Sequence, residues 1–133
     1  MFLAVCDNAA FRYYNSDFKL LNQLGANLNL YGHMNASYVL IADTSGKRTG
    51  PIYEALSDTE AIEVSGQVDG VDYSVRSSGD SSDGIASIII NGEEYAVNAQ
   101  GLNIVVFDSE QKEVVDSICF NTFMSGHPAM RKR

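Results

Sequence analysis

The chain reads as an α+β protein, and three observations predict that class. Met1–Asp58 carries a strand pattern, then a helix pattern, then strands, whereas Thr59–Phe123 is strand and turn almost throughout. Asn91-Gly92 directly follows the run Ile88, Ile89 and Ile90, and a two-residue hairpin turn needs the positive φ that Asn and Gly tolerate. With 133 residues, of which 45% are hydrophobic and 20% charged, the chain fits a single domain over positions 1–133. A domain of that size buries roughly two thirds of its unfolded surface, so it needs no staple.

Phe2–Cys6 is a short apolar strand ending at Asp7. Asn15 or Ser16 offers a helix cap with Asp17 in the first turn. Phe18, Leu20, Leu21 and Leu24 then fall at helical spacing before Gly25 stops the helix. Leu28 and Leu30 alternate with Asn27 and Asn29, and Tyr38–Ala42 gives the next strand. Gly50-Pro51 suits a helix start, so Pro51–Leu56 is expected to form one or two helical turns. Ile62 and Val64, then Val71, Tyr73 and Val75, alternate with polar neighbours, predicting two half-exposed strands joined through Asp69-Gly70. Ser77–Gly84 has the composition of a flexible loop, and the spacing of its Asp80 and Asp83 does not match a calcium-binding loop. The central stretch, Ile85–Phe123, is read as consecutive antiparallel strands: the Ile88–Ile90 hairpin, then Leu102–Phe107, a polar turn at Asp108–Lys112, and Val114–Phe123. In the tail, Met124–Arg133, Pro128 suits the start of a helix with no room to continue.

The formal charge of −8 argues against a nucleic-acid partner, because phosphate backbones are bound by basic patches. The basic cluster Arg131-Lys132-Arg133 reads as a solvated terminus. No run approaches the length of a membrane span, and Met1–Ala10 lacks the features of a secretion signal. Cys6 and Cys119 sit in apolar runs and read as buried small hydrophobes. A disulfide stays open should their strands be neighbours. The chemistry is sparse: His33 and His127 have no cysteine nearby in sequence, no glycine-rich phosphate loop occurs, and no spacing resembles a metal site. No cofactor is expected, and carboxylate spacing neither supports nor excludes a glycosidase. Asp7-Asn8 stands out at the end of the first strand. Such groups either line a ligand crevice or cap the following turn.

The run GLNIVVFDSEQKEVVDSICFNTF resembles the interleukin-like EMT inducer (ILEI) family. Its matching residues are Gly101-Leu102-Asn103, Ile104–Phe107, Lys112–Asp116 and Phe120-Asn121-Thr122-Phe123, and SIIINGEEY resembles the hairpin that opens that half. FLAVCDNAAFRYYNSDFKLLNQLGA, SYVLIAD and GPIYEAL are similar to the family's later half. The halves stand in reversed order: Met1–Asp58 resembles the family's C-terminal half and Thr59–Phe123 its N-terminal half. This implies a circularly permuted domain or a segment cut across tandem copies. Permutation is physically cheap because domain termini lie close together on the surface.

The resemblance implies two packed, mainly antiparallel sheets with two or three short helices, in which Phe2–Cys6 and Asn103–Phe107 share one interior. It implies a non-catalytic carbohydrate-recognition module, an accessory part of a polysaccharide or cell-envelope system, with extracellular or envelope location. The family's disulfide cysteines are absent as a set, which fits a bacterial relative. Asp7 matches the glycan-binding member's aspartate, while Gln100 and Asn35 stand where its arginines would be and Tyr38 replaces its tryptophan. The expected hydrogen-bonding groups are Asp7, Asn8, Asn35, Gln100 and Asn103, with Tyr31 or His33 as a stacking face. The alternative is an interaction module in which the groove of the family's absent helix docks a second copy or a neighbouring part of the parent chain. An enzyme acting on saccharides would instead require a close carboxylate pair in a cleft.

Overall fold

The computed structural model describes residues 1–45, 47–79 and 84–132; Asp80, Asp83 and Arg133, with the expectations attached to them, lie outside the described residues. The chain order is β1 (Phe2–Cys6), α1 (Asn15–Gln23), β2 (Ser37–Ile41), β3 (Tyr53–Ser57), β4 (Ile62–Val68), β5 (Val71–Ser77), β6 (Ala86–Ile90), β7 (Glu93–Glu94), β8 (Gly101–Asp108), β9 (Glu113–Phe120) and β10 (Ala129–Arg131). A six-stranded sheet runs β10-β9-β8-β1-β2-β3, and a four-stranded sheet runs β4-β5-β6-β7. Every pair within both sheets is antiparallel.

β1 and β2 are buried along their whole length because they are covered on both faces. Phe2, Ala4, Val39, Ile41 and Val105 face the four-stranded sheet and meet Ile62, Val71, Val75, Ile88 and Ile90. Leu3, Val5, Tyr38, Leu40 and Leu102 face outward and are covered by Tyr13, Leu21, Leu30 and Phe18. The result is a sandwich with one helix and its flanking loops behind the larger sheet. β1 lies between β2 and β8, with Phe2 opposite Val105 and Cys6 opposite Gly101, so the first strand is hydrogen-bonded into the carboxyl-terminal portion.

Several sequence expectations change. Pro51–Leu56 is not helical: Ile52 N–H donates to Ile41 O at 2.8 Å, and β3 pairs with β2 from Tyr53 to Ser57. Tyr53 and Ala55 pack inward while Leu56 packs outward, and this period of two with an available sheet edge overrides local helix preference. Asn27–Leu30 forms no strand, because the Glu54 carboxylate accepts from the backbone N–H groups of Asn27 (2.9 and 3.1 Å) and Leu28 (3.0 Å). Glu54 also accepts from the Tyr38 hydroxyl, tying the loop to the sheet. Pro128 precedes edge strand β10 rather than a helix, and its carbonyl accepts from Asn121 N–H at 2.9 Å.

α1 is the helix of the described residues, where two or three were expected. Its cap is Tyr14, whose N–H donates to the Asp17 carboxylate at 2.7 Å. The covered stripe is narrower than the sequence spacing implied, since Leu20 is 61% exposed. Asn91-Gly92 makes the expected turn, with φ of 51° and 82°, but its second strand is the short β7. The chain then crosses to the other sheet, so β6 and β8 are not partners. Asp69-Gly70 (φ 51° and 77°) joins β4 to β5 as expected.

Candidate functional site: a polar corner where the two sheets meet

At the end of β1 the backbone turns sharply, with Asp7 at φ 59°. Asp tolerates this left-handed conformation better than most residues. Its carboxylate accepts from Asn8 N–H at 2.8 Å and from the Gln100 amide at 3.1 Å. Gln100 in turn accepts from the Asn121 amide at 3.4 Å. Asn8 accepts from the backbone N–H of Asn35 at 3.2 Å, and Asn35 is also left-handed, at φ 60°. Asp7, Asn8, Asn35 and Gln100 thus come from three separate loops to one corner. Asp7, Asn8 and Gln100 are half-buried there, and Asn35 is exposed.

The corner is stitched by β5. Buried Ser77 donates to Val5 O at 2.6 Å and accepts from Tyr38 N–H at 3.0 Å. Ser78 makes a parallel bridge with Cys6, and Gly79 N–H donates to the Ser37 hydroxyl at 3.1 Å. Gly79 lies so close to β2 that a Cβ would sit 2.0 Å from Ala36 O. Ser77 and Ser78 therefore belong to the core, against their loop-like composition.

Beside these groups opens a cleft of about 310 Å³ lined by Asn35, Ser37, Asp58, Thr59, Glu60, Ala61 and Ser78. His33 stands near it, with Nδ1 2.9 Å from the Asp58 carboxylate. The carboxylates of Asp58 and Glu60 occupy the cleft wall as exposed side chains. Tyr31 is exposed on the preceding loop, its N–H held by the Asn29 side chain at 3.0 Å. Asn103 is different: it is fully buried, donates to Ala99 O at 2.8 Å and accepts from Ala99 N–H at 3.2 Å. Against the sequence expectation of a hydrogen-bonding group open to a sugar, its amide is committed to shaping the loop that presents Gln100.

The thiols are free and shielded. Cys6 lies on β1 and Cys119 on β9, with β8 between them. Two strand spacings amount to about 9.5 Å, beyond the Cα separation a disulfide spans. Burial pushes the Cys119 thiol up to about 12, with the neighbouring Cys6 adding to the rise. Burial, followed by the charge of Asp7, also raises Cys6. Both shifts favour the protonated thiol over the thiolate. Among the described residues no group of three or more His, Cys, Asp and Glu side chains is placed to hold a metal ion.

Sequence reasoning missed Ser37, Ser77, Asp58, Asn98 and Asn121. Asn98, at φ 61°, accepts from Ala86 N–H at 2.9 Å and helps fix the loop below the corner. A left-handed asparagine is a weak signal in isolation, and a core serine in a Ser-Gly run looks like a linker. Fold and site together define a helix-backed β-sandwich with a convergent amide and carboxylate corner. No family model matches this chain, and neither curated proteins nor solved structures give a match. Among the described residues no helix is long and apolar enough to cross a membrane.

Proposed function

We propose that this protein is a non-catalytic carbohydrate-recognition module, that it is a permuted relative of the ILEI family, and that the polar corner is its glycan site. The observation that carries the reading is the Gln100–Asp7 hydrogen bond, which joins residues 93 positions apart, beside the Asn8–Asn35 contact at the mouth of the cleft. Sugars are bound by convergent, pre-oriented hydrogen-bonding groups over a shallow surface, and amides serve hydroxyls as both donors and acceptors. Tyr31 and His33 supply ring surface on the adjoining loop. The permuted kinship is supported by the pairing of β1 with β8, which joins the two portions along their backbones. The deciding experiment is a glycan array probed with wild type, Asp7→Ala and Gln100→Ala. Signals carried by wild type and lost in both variants support the site; equal signals for all three, or none for any, remove it.

A second reading is favoured by one separate observation. Ile104, Val106 and Phe120 lie on the outer face of β8 and β9, only half-buried. That face suits a protein partner in an assembly role. Light scattering distinguishes the readings: a stable dimer that Ile104→Glu dissociates supports assembly, and a strict monomer at high concentration opposes it.

A further inference from the structure

Away from the cleft, Phe11 and Phe123 stack with ring centroids 4.8 Å apart and planes 29° apart, and both are exposed. The Arg12 guanidinium lies 5.4 Å from the Phe11 ring centre. Among the described residues that guanidinium has no ion pair and no hydrogen bond. An unneutralised arginine is unusual on a chain of formal charge −8. The nearby carboxylate of Asp17 is already engaged, by Tyr14 N–H at 2.7 Å and by His127 Nδ1 at 3.6 Å.

The stack is physically continuous with the corner. Arg12 N–H donates to Thr122 O at 2.7 Å, Phe123 N–H donates to the Asn121 side chain at 3.0 Å, and Asn121 reaches Gln100. His127 fixes the arrangement by holding Arg12 O at 2.6 Å. The stack therefore carries a planar, forked cation over Phe11 and is joined through the Phe123 backbone to the amides of the corner. A guanidinium stacked on a ring keeps its in-plane N–H groups directed outward, where they match a carboxylate bidentately.

We infer that Arg12, Phe11 and Phe123 form a subsite for a carboxylate-bearing pyranose, so that the glycan recognised at the corner is one containing uronic acid. This rests on the carbohydrate reading given above. The pyranose C–H face lies on the exposed ring surface and the C6 carboxylate meets the Arg12 fork.

The test is calorimetry and amide-shift mapping of the full chain with α-1,4-linked trigalacturonate and with the same trimer fully methyl-esterified. The acid form is expected to bind at least about tenfold more tightly, as a bidentate charge-assisted pair provides, and to shift Phe11, Arg12 and Phe123. Arg12→Gln is expected to abolish the difference between acid and ester, and Phe123→Ala to weaken both forms alike. Equal binding of acid and ester, or a difference that survives Arg12→Gln, overturns the subsite. If neither trimer binds while neutral glycans still shift Asp7 and Gln100, the subsite fails and the corner reading stands. If no glycan shifts either region, both fail. Dimerisation that buries the stack also overturns it.

Discussion

The two ends of the sandwich contrast in how they use polar groups. At the β1–β5 end, side chains bond to partners far away in sequence: Ser77 to Val5, Gln100 to Asp7, Ser37 to the Gly79 N–H. The opposite end holds a slightly larger cleft of about 360 Å³, with Asp43, Asp69, Asp108 and Glu110 around Phe2, Ile41, Ile52 and Phe107. There the carboxylates serve their own turns: Asp43 accepts from Ser45 N–H, and Asp108 from Glu110 and Gln111 N–H. Side-chain and then backbone hydrogen bonds from Ser45 hold Asp43 below its usual value. Local caps leave a surface free to vary, while long-range bonds fix the geometry a ligand meets. Cleft size alone would point to the acidic end, whereas the long-range bonds lie at the other.

Four measurements break or sharpen this contrast. Gly79→Ala drives a Cβ into Ala36 O, whereas Gly70→Ala at the far turn meets no atom within 4 Å and strains only its φ of +77°. Chemical denaturation is expected to show a loss of about 3 kcal/mol or more for the first and about 1 kcal/mol for the second. Comparable losses would show that the corner is no tighter than the turn. Next, Ser77→Ala leaves Tyr38 N–H and Val5 C=O unpaired in the core, costing about 2–3 kcal/mol. Asp108→Asn should stay within about 0.5 kcal/mol in the same assay.

The third measurement is the alkaline stability profile. Cys119 is raised from 9.0 to about 12. In both states it is protonated below pH 9, so its contribution is fully present there. Between pH 9 and 12 the unfolded chain releases the proton first and stability falls, at up to about 1.4 kcal/mol per pH unit. Burial also raises Tyr13 and Tyr38, steepening the fall above pH 10. Urea midpoints at pH 8, 9.5 and 11 should decline in that order; a flat series would mean that these groups are hydrated. The fourth measurement is Gln100→Ala, expected to cost about 1 kcal/mol or less, because its bonds lie at a half-buried rim.

Much of the architecture is legible in the sequence. The β1, β2, β4, β5, β8 and β9 segments announce themselves through β-branched runs and alternation, and Asp69-Gly70 and Asn91-Gly92 mark their turns by backbone chemistry alone. What failed did so for tertiary reasons. Pro51–Leu56 has helical composition, but the free edge of β2 and the alternation of Tyr53 and Ala55 decide its state. Asn91-Gly92 suggests consecutive antiparallel strands over Ile85–Phe123, yet the chain leaves after Glu94 because the next strand is claimed by β1. At the candidate site, Asp7 and Asn8 were reachable from their place at the end of the first strand, and Asn35 and Gln100 from the resemblance. The Ser77 stitch and the Phe11–Phe123 stack were not, since each depends on residues more than 70 positions apart meeting through the sheet.

The most direct test of the central claim, that the β1–β5 corner rather than the acidic end is the recognition surface, is residue-resolved NMR titration with a panel of neutral and acidic oligosaccharides. The account predicts saturable shifts at Asp7, Asn8, Asn35 and Gln100, with Asp43, Asp69 and Asp108 unmoved. Shifts centred on the acidic cleft, or none anywhere across the panel, would contradict it.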